Sequence, residues 1–130
     1  MIIRLDMTGE VPIYVQLRNA VVIGIGTGEL RPGEGLPTVR QMAEDLGVNT
    51  MTVNKAYALL KDRGFIEIDR RHGARVNPQQ DKFGLFREKA EERLTVLIAE
   101  ATARGVEKGE FMELCEKVYS VMCMPKAGLV

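Results

Sequence analysis

Along most of this chain, apolar residues return every three or four positions, the spacing of helices with one buried face. Ile13, Leu17, Ala20, Val21 and Ile25 predict a first helix running from Pro12 to about Gly28. Pro12 suits the first helical position. Gly24 and Gly26 each cost this helix about 1 kcal/mol relative to Ala, so they either admit a close neighbour or mark an early end. Ahead of it, Ile2-Ile3-Arg4-Leu5 reads as a short strand, and Gly28 to Gly35 reads as a turn-rich connector.

The pattern then tightens. Val39, Met42, Ala43 and Leu46 make the apolar face of a short helix from Thr38 to Leu46, with Thr38 and Gln41 at capping-box spacing. Gly47 closes it, because glycine takes the left-handed turn conformation cheaply. Val48 follows as an apolar pin. Asn49 is a good N-cap for a further helix to about Arg63, whose core stripe is Val53, Ala56, Tyr57 and Leu60. Phe65 to Ile68 and Ala74 to Val76 alternate as strands around the polar tip Asp69-Arg70-Arg71-His72-Gly73. The order is helix, turn, helix, then a hairpin wing. Asn77 to Asp81 is polar and broken by proline, and reads as a boundary.

Beyond the boundary, Leu85, Phe86, Ala90, Leu94, Leu97, Ile98 and Ala101 lie on one helix, closed by Gly105. Phe111, Leu114, Cys115, Val118 and Met122 lie on another, which ends before Pro125. Two such helices cannot bury both stripes on each other. They need a partner surface, most simply a second copy of the chain. The expected fold is mostly α with a small β-hairpin: a winged helix-turn-helix over residues 1–77 and a helical dimerisation domain over 78–130. The residues assigned to dimerisation are Leu94, Leu97, Ile98, Ala101, Phe111, Leu114 and Val118.

Composition narrows the function classes. The 130 residues carry 18 basic and 18 acidic side chains, so net charge alone argues weakly against nucleic acid. Distribution matters more: residues 31–76 hold eight basic and six acidic groups, and the two flanks are each one charge negative. Two cysteines are too few for a disulfide framework. Cys115 and Cys123 stand two helical turns apart, about 12 Å of rise, too far for a bridge. They read as buried thiols in a reducing cytosol, with a soft-metal site shared with Met122 and Met124 as the alternative. No secretory segment and no apolar run of membrane-spanning length is expected, which predicts a cytoplasmic protein without a membrane partner. One histidine, with no Ser/His/Asp or Cys/His grouping, no P-loop and no metal-ligand spacing, argues against an enzyme and against a cofactor.

The second helix of the helix-turn-helix supplies the candidate chemistry. A helix that reads a DNA groove presents short polar side chains at its N-terminal end and anchors its back in the core. Asn49, Thr50, Met51, Thr52, Asn54 and Lys55 occupy that end, while Val53 and Ala56 face inward. Asn can bridge adenine, and Thr can bond base edges or phosphate and lay its methyl on thymine. Lys55 suits phosphate or guanine. Arg40 has the reach and fork geometry for either. Arg70, Arg71, His72 and Gly73, at the wing tip, suit the adjacent minor groove. Each of these residues has an ordinary structural reading as a cap, a solvated turn or a core phenol with a wet hydroxyl. Their occurrence in one order points to DNA.

These residues resemble the winged helix-turn-helix of GntR-type bacterial transcription regulators. PIYVQL, GELRPGEGLPTVRQMAEDLGVN, TVNKAY, ALLKDRGFIE and HGARV follow that family's pattern from Pro12 to Val76, about half of the chain. The short two-helix tail resembles the YtrA-like subfamily. The resemblance implies dimers paired through the tail, often regulating transporter operons. It implies DNA contacts by Arg40, by Thr50, Met51, Thr52 and Asn54, and by His72 and Gly73 at the wing tip. Three positions depart from the pattern. Thr50 stands where many relatives have a base-reading arginine; Arg71 and Arg75 replace a wing glycine and a wing aromatic; Lys108 takes the place of a serine cap. The expected function is a sequence-specific DNA-binding regulator, a homodimeric repressor on double-stranded inverted-repeat operator DNA. The alternative is a winged-helix protein-interaction module, which would more often fill its docking surface with apolar anchors. A small-molecule effector would have to sit between protomers or at the junction near Asn77–Phe83, because so short a tail cannot enclose a drug-sized pocket.

Overall fold

The structure is a computed structural model that describes residues 3–71, 73–78 and 84–123, without the side chain of Leu85. His72, Met124 and residues 79–83 lie outside the described residues, as does Ile2 of the expected first strand. The chain forms two compact units, Met1–Gln80 and Asp81–Val130.

The first unit contains α1 (Ile13–Gly26), α2 (Val39–Leu46), α3 (Thr50–Asp62), β1 (Ile66–Asp69) and β2 (Gly73–Val76). α1 and α2 both pack on α3, and β1 lies against it. The predicted stripes meet as one core: Leu17 and Val21 from α1, Met42 and Ala43 from α2, and Val53, Ala56, Tyr57 and Leu60 from α3. Ile66, Ala74 and Val76 close the core from the hairpin, and Leu30 from the connector.

Helix ends follow local chemistry. Thr38 Oγ1 accepts from the Gln41 N–H at 3.1 Å. The reciprocal half of the expected box is missing, because the Gln41 amide donates to Asp45 Oδ1 at 2.8 Å, one turn on. Gly47 takes φ +68. Its N–H donates to the Glu44 carbonyl at 3.3 Å and the Val48 N–H to the Ala43 carbonyl at 3.0 Å, the paired bonds of a Schellman turn. Val48 packs on the core as expected.

Several sequence expectations are corrected. Pro12 is the N-cap of α1, with an extended ψ of 146°, and not its first helical residue. The helix ends at Gly26, two residues early. Gly24 is buried, and its carbonyl accepts from the Leu30 N–H at 2.9 Å, which folds the connector back onto the helix end. Described residues 3–6 form no strand. The Gln16 side chain holds the end of this segment, accepting from the Asp6 N–H at 2.7 Å and donating to the Asp6 carbonyl at 2.9 Å.

The hairpin is antiparallel, with Ile66 opposite Val76 and Asp69 opposite Gly73; the first strand lies one residue nearer the tip than expected, and the second starts one residue early and ends at Val76 as expected. The connector does more than turn. Gly35 bridges Arg75, the Leu36 N–H donates to Ala74 at 2.8 Å, and the Val76 N–H donates to Glu34 at 2.8 Å. The wing therefore gains a third edge from residues 33–36.

The second unit holds α4 (Gly84–Ala103) and α5 (Lys108–Met122). Among the described residues, these helices do not pack along each other as α1 and α3 do. Leu94, Leu97, Ile98, Leu114 and Val118 are exposed, and Ala101 and Phe111 are half-buried. The cysteines are consequently not buried: Cys115 is half-exposed and Cys123 exposed. The N-cap of α5 is Glu107 and not Lys108; the Glu107 N–H donates to the Glu110 carboxylate at 3.0 Å.

Candidate nucleic-acid interface

α3 sorts its side chains by face. Val53, Ala56, Tyr57 and Leu60 are buried, whereas Thr50, Met51, Asn54 and Lys55 are exposed and Thr52 is half-buried. Asn49, also exposed, spends its side-chain carbonyl on the cap, accepting from the Met51 N–H at 2.7 Å. Met51, Lys55, Ala58 and Asp62 recur at steps of four, three and four and are all exposed, so they form the outermost line of the helix. Ala58 went unnoticed as a sequence feature. Seven residues after Met51, its methyl adds little bulk to that line.

Tyr57 ties α3 to the segment that enters α2. It is 2% exposed, and its hydroxyl is not wet: it donates to the Pro37 carbonyl at 2.8 Å, just ahead of the α2 cap. Burial pushes the phenol up to about 12.

Lys55 has a local partner as well as an outward position. Its ammonium lies 4.7 Å from the centroid of the half-buried Tyr14 ring on α1. Such a cation–π contact steadies a flexible chain without removing its charge. Composition gave no sign of it, because the two residues are distant in sequence.

Arg40 is exposed in the first turn of α2. Arg70 and Arg71 are exposed at the hairpin tip, next to His72, which lies outside the described residues. Gly73 takes φ +66, and a Cβ there would meet open space, so conformation rather than crowding within the chain demands glycine. Arg75, which stands in place of a wing aromatic, is hydrogen-bonded and ion-paired to Glu67, its register partner across the hairpin. The tip arginines therefore carry the wing's outward charge.

Among the described residues there is no His/Cys/Asp/Glu cluster that could hold a metal and no helix long and apolar enough to cross a membrane. A cavity of about 280 Å³ lies among Leu30, Leu36, Met42, Glu34 and Asp45. It falls just below the size of drug-binding pockets.

Residues 13–76 match the family described as bacterial regulatory proteins, gntR family. The chain is 32% identical over 119 residues to the transcriptional repressor YtrA of Bacillus subtilis, covering 89% of this chain and 91% of that protein. It is 39% identical over 75 residues to the transcriptional regulator Rv1152 of Mycobacterium tuberculosis, a match to 58% of this chain and 62% of that protein. Among solved structures, the chain is similar to a transcriptional antiterminator from Listeria monocytogenes, with a TM-score of 0.86 and 26% identity over 96% of this chain and 95% of that one. It is also similar to YtrA from Sulfolobus acidocaldarius, a GntR-family transcription factor, with a TM-score of 0.63 and 38% identity over 79% of this chain and 99% of that one.

Proposed function

Because this chain belongs to the gntR family of bacterial regulatory proteins and is a DNA-binding transcription regulator, we propose that it acts as a homodimeric cytoplasmic repressor, of the YtrA-like kind, on an inverted-repeat operator. The observation that carries this reading is the division of α3 into a buried stripe and an exposed polar N-terminal end. Each protomer lays that end in a major groove, where Thr50, Met51, Thr52 and Asn54 meet base edges and Lys55 meets phosphate or guanine. Arg40 contacts a base edge or the backbone beside it. Arg70, Arg71, His72 and Gly73 address the neighbouring minor groove. The domain division is 1–77 for DNA and 78–130 for pairing.

The bare stripes of α4 and α5 support the pairing. A twofold dimer requires half-sites about one helical turn apart, or a multiple of it. A transporter operon is the proposed class of target, consistent with the resemblance of the tail. No catalytic step and no cofactor belongs to this function.

Gel-shift titration tests it. Arg40→Ala weakens binding to the selected operator by about 1–3 kcal/mol, with a smaller effect on random duplex. Affinity falls with salt at a log–log slope of about −0.9 for each phosphate contacted. Unchanged affinity together with unchanged selectivity removes Arg40 from the interface, and a flat salt dependence removes the DNA reading.

A further inference from the structure

Met51 is out of keeping with its surroundings. It is 74% exposed, whereas its neighbours on the outward line of α3 are charged or small. Its side chain serves neither the core, whose stripe runs through Val53, Ala56, Tyr57 and Leu60, nor the cap, which uses only its backbone N–H. A straight thioether chain is apolar and adaptable, and lacks a strong donor or acceptor. In the major groove one base-edge feature rewards such a group, the 5-methyl of thymine.

We propose that Met51 is a specificity-determining residue that packs on a pyrimidine 5-methyl group, that of thymine, in each half-site of the operator. This rests on the groove-reading role of α3 and names the chemistry that its most exposed apolar side chain selects. Thr50, beside it, is exposed and too short to bury much surface. The longer Met51 reaches further and shields more of a methyl from water. Burial of one methyl is worth about fourfold in affinity.

The test begins by selecting duplexes from a random pool with the full-length protein. The enriched sequence contains thymine at one or more positions of each half-site. Each thymine is then exchanged for deoxyuridine, which deletes only the methyl, and binding is measured for the parent protein, Met51→Ala and Met51→Gln. At one position the exchange weakens the parent about fourfold per half-site. Neither variant responds to that exchange. At the same position, 5-methylcytosine binds the parent better than cytosine, which separates the methyl from the rest of the base edge. A pool that enriches no sequence overturns the groove reading and this proposal with it. An enriched operator indifferent to every exchange overturns this proposal alone, as does an equal loss for parent and variants, which assigns the methyl to another side chain. Matching melting temperatures for the three proteins confirm that all compare folded molecules.

Discussion

Tyr57 shows how much one side chain decides. Its ring fills the core while its hydroxyl ties α3 to the Pro37 carbonyl at 2.8 Å. Burial raises the folded phenol to about 12, above its ordinary value near 10. The stabilisation from the neutral phenol is therefore complete below pH about 10 and is lost as pH rises through 12. Urea titrations should show an alkaline loss across that window, and Tyr57→Phe should lose part of it. At neutral pH the same change should cost about 1–3 kcal/mol, because it leaves the Pro37 carbonyl without its donor. A phenylalanine variant of undiminished neutral stability would show that water replaces the bond at no cost. The ring's burial was legible from its place on the stripe. The bond was not, because its acceptor lies 20 residues away. By contrast Thr38, Gly47 and Asn49 were readable in advance, since caps and turns act within a few residues of themselves.

Elements were legible as periods, and less so as partners. The hairpin followed from alternation and a polar tip, but the edge added by Gly35 brings together residues far apart in the chain. The same distance hid the Lys55–Tyr14 contact. Register explains why Arg75 is no free wing cation: it stands opposite Glu67, where opposite charges attract. Glu67→Gln should release that charge toward DNA. Binding to random duplex should tighten, with a log–log salt slope steeper by up to about one unit. An unchanged slope would mean that Arg75 does not reach phosphate even when freed. The loss in protein stability should be small, about 0.2–1 kcal/mol, because the pair is partly exposed.

At the scale of the whole molecule, the second unit cannot satisfy itself. The C-terminal half of α4 is apolar nearly all round, with Leu94, Val96, Leu97, Ile98, Ala99, Ala101 and Ala103 interrupted only by Thr95, Glu100 and Thr102. A helix of that kind calls for cover on more than one side, yet residues 94–100 are exposed and α5 does not lie along it among the described residues. Leu97→Glu should convert a dimer to monomers in sedimentation equilibrium, and leave the fold of the first unit intact by circular dichroism. Persistence of the dimer would place the interface elsewhere. Within the first unit, the strand-like bonds from residues 33–36 to β2, and the Tyr57 bond to Pro37, join wing, connector and groove helix into one piece. In the proposed complex, that continuity makes the first unit a fixed ruler along the duplex. On the proposed reading, the distance between the base step met by α3 and the step met by the hairpin tip is set by covalent geometry and by these hydrogen bonds. An operator bound in that way meets the distance by its own bending, so the flexibility of the base steps between the two proposed contacts becomes part of what is recognised without being touched.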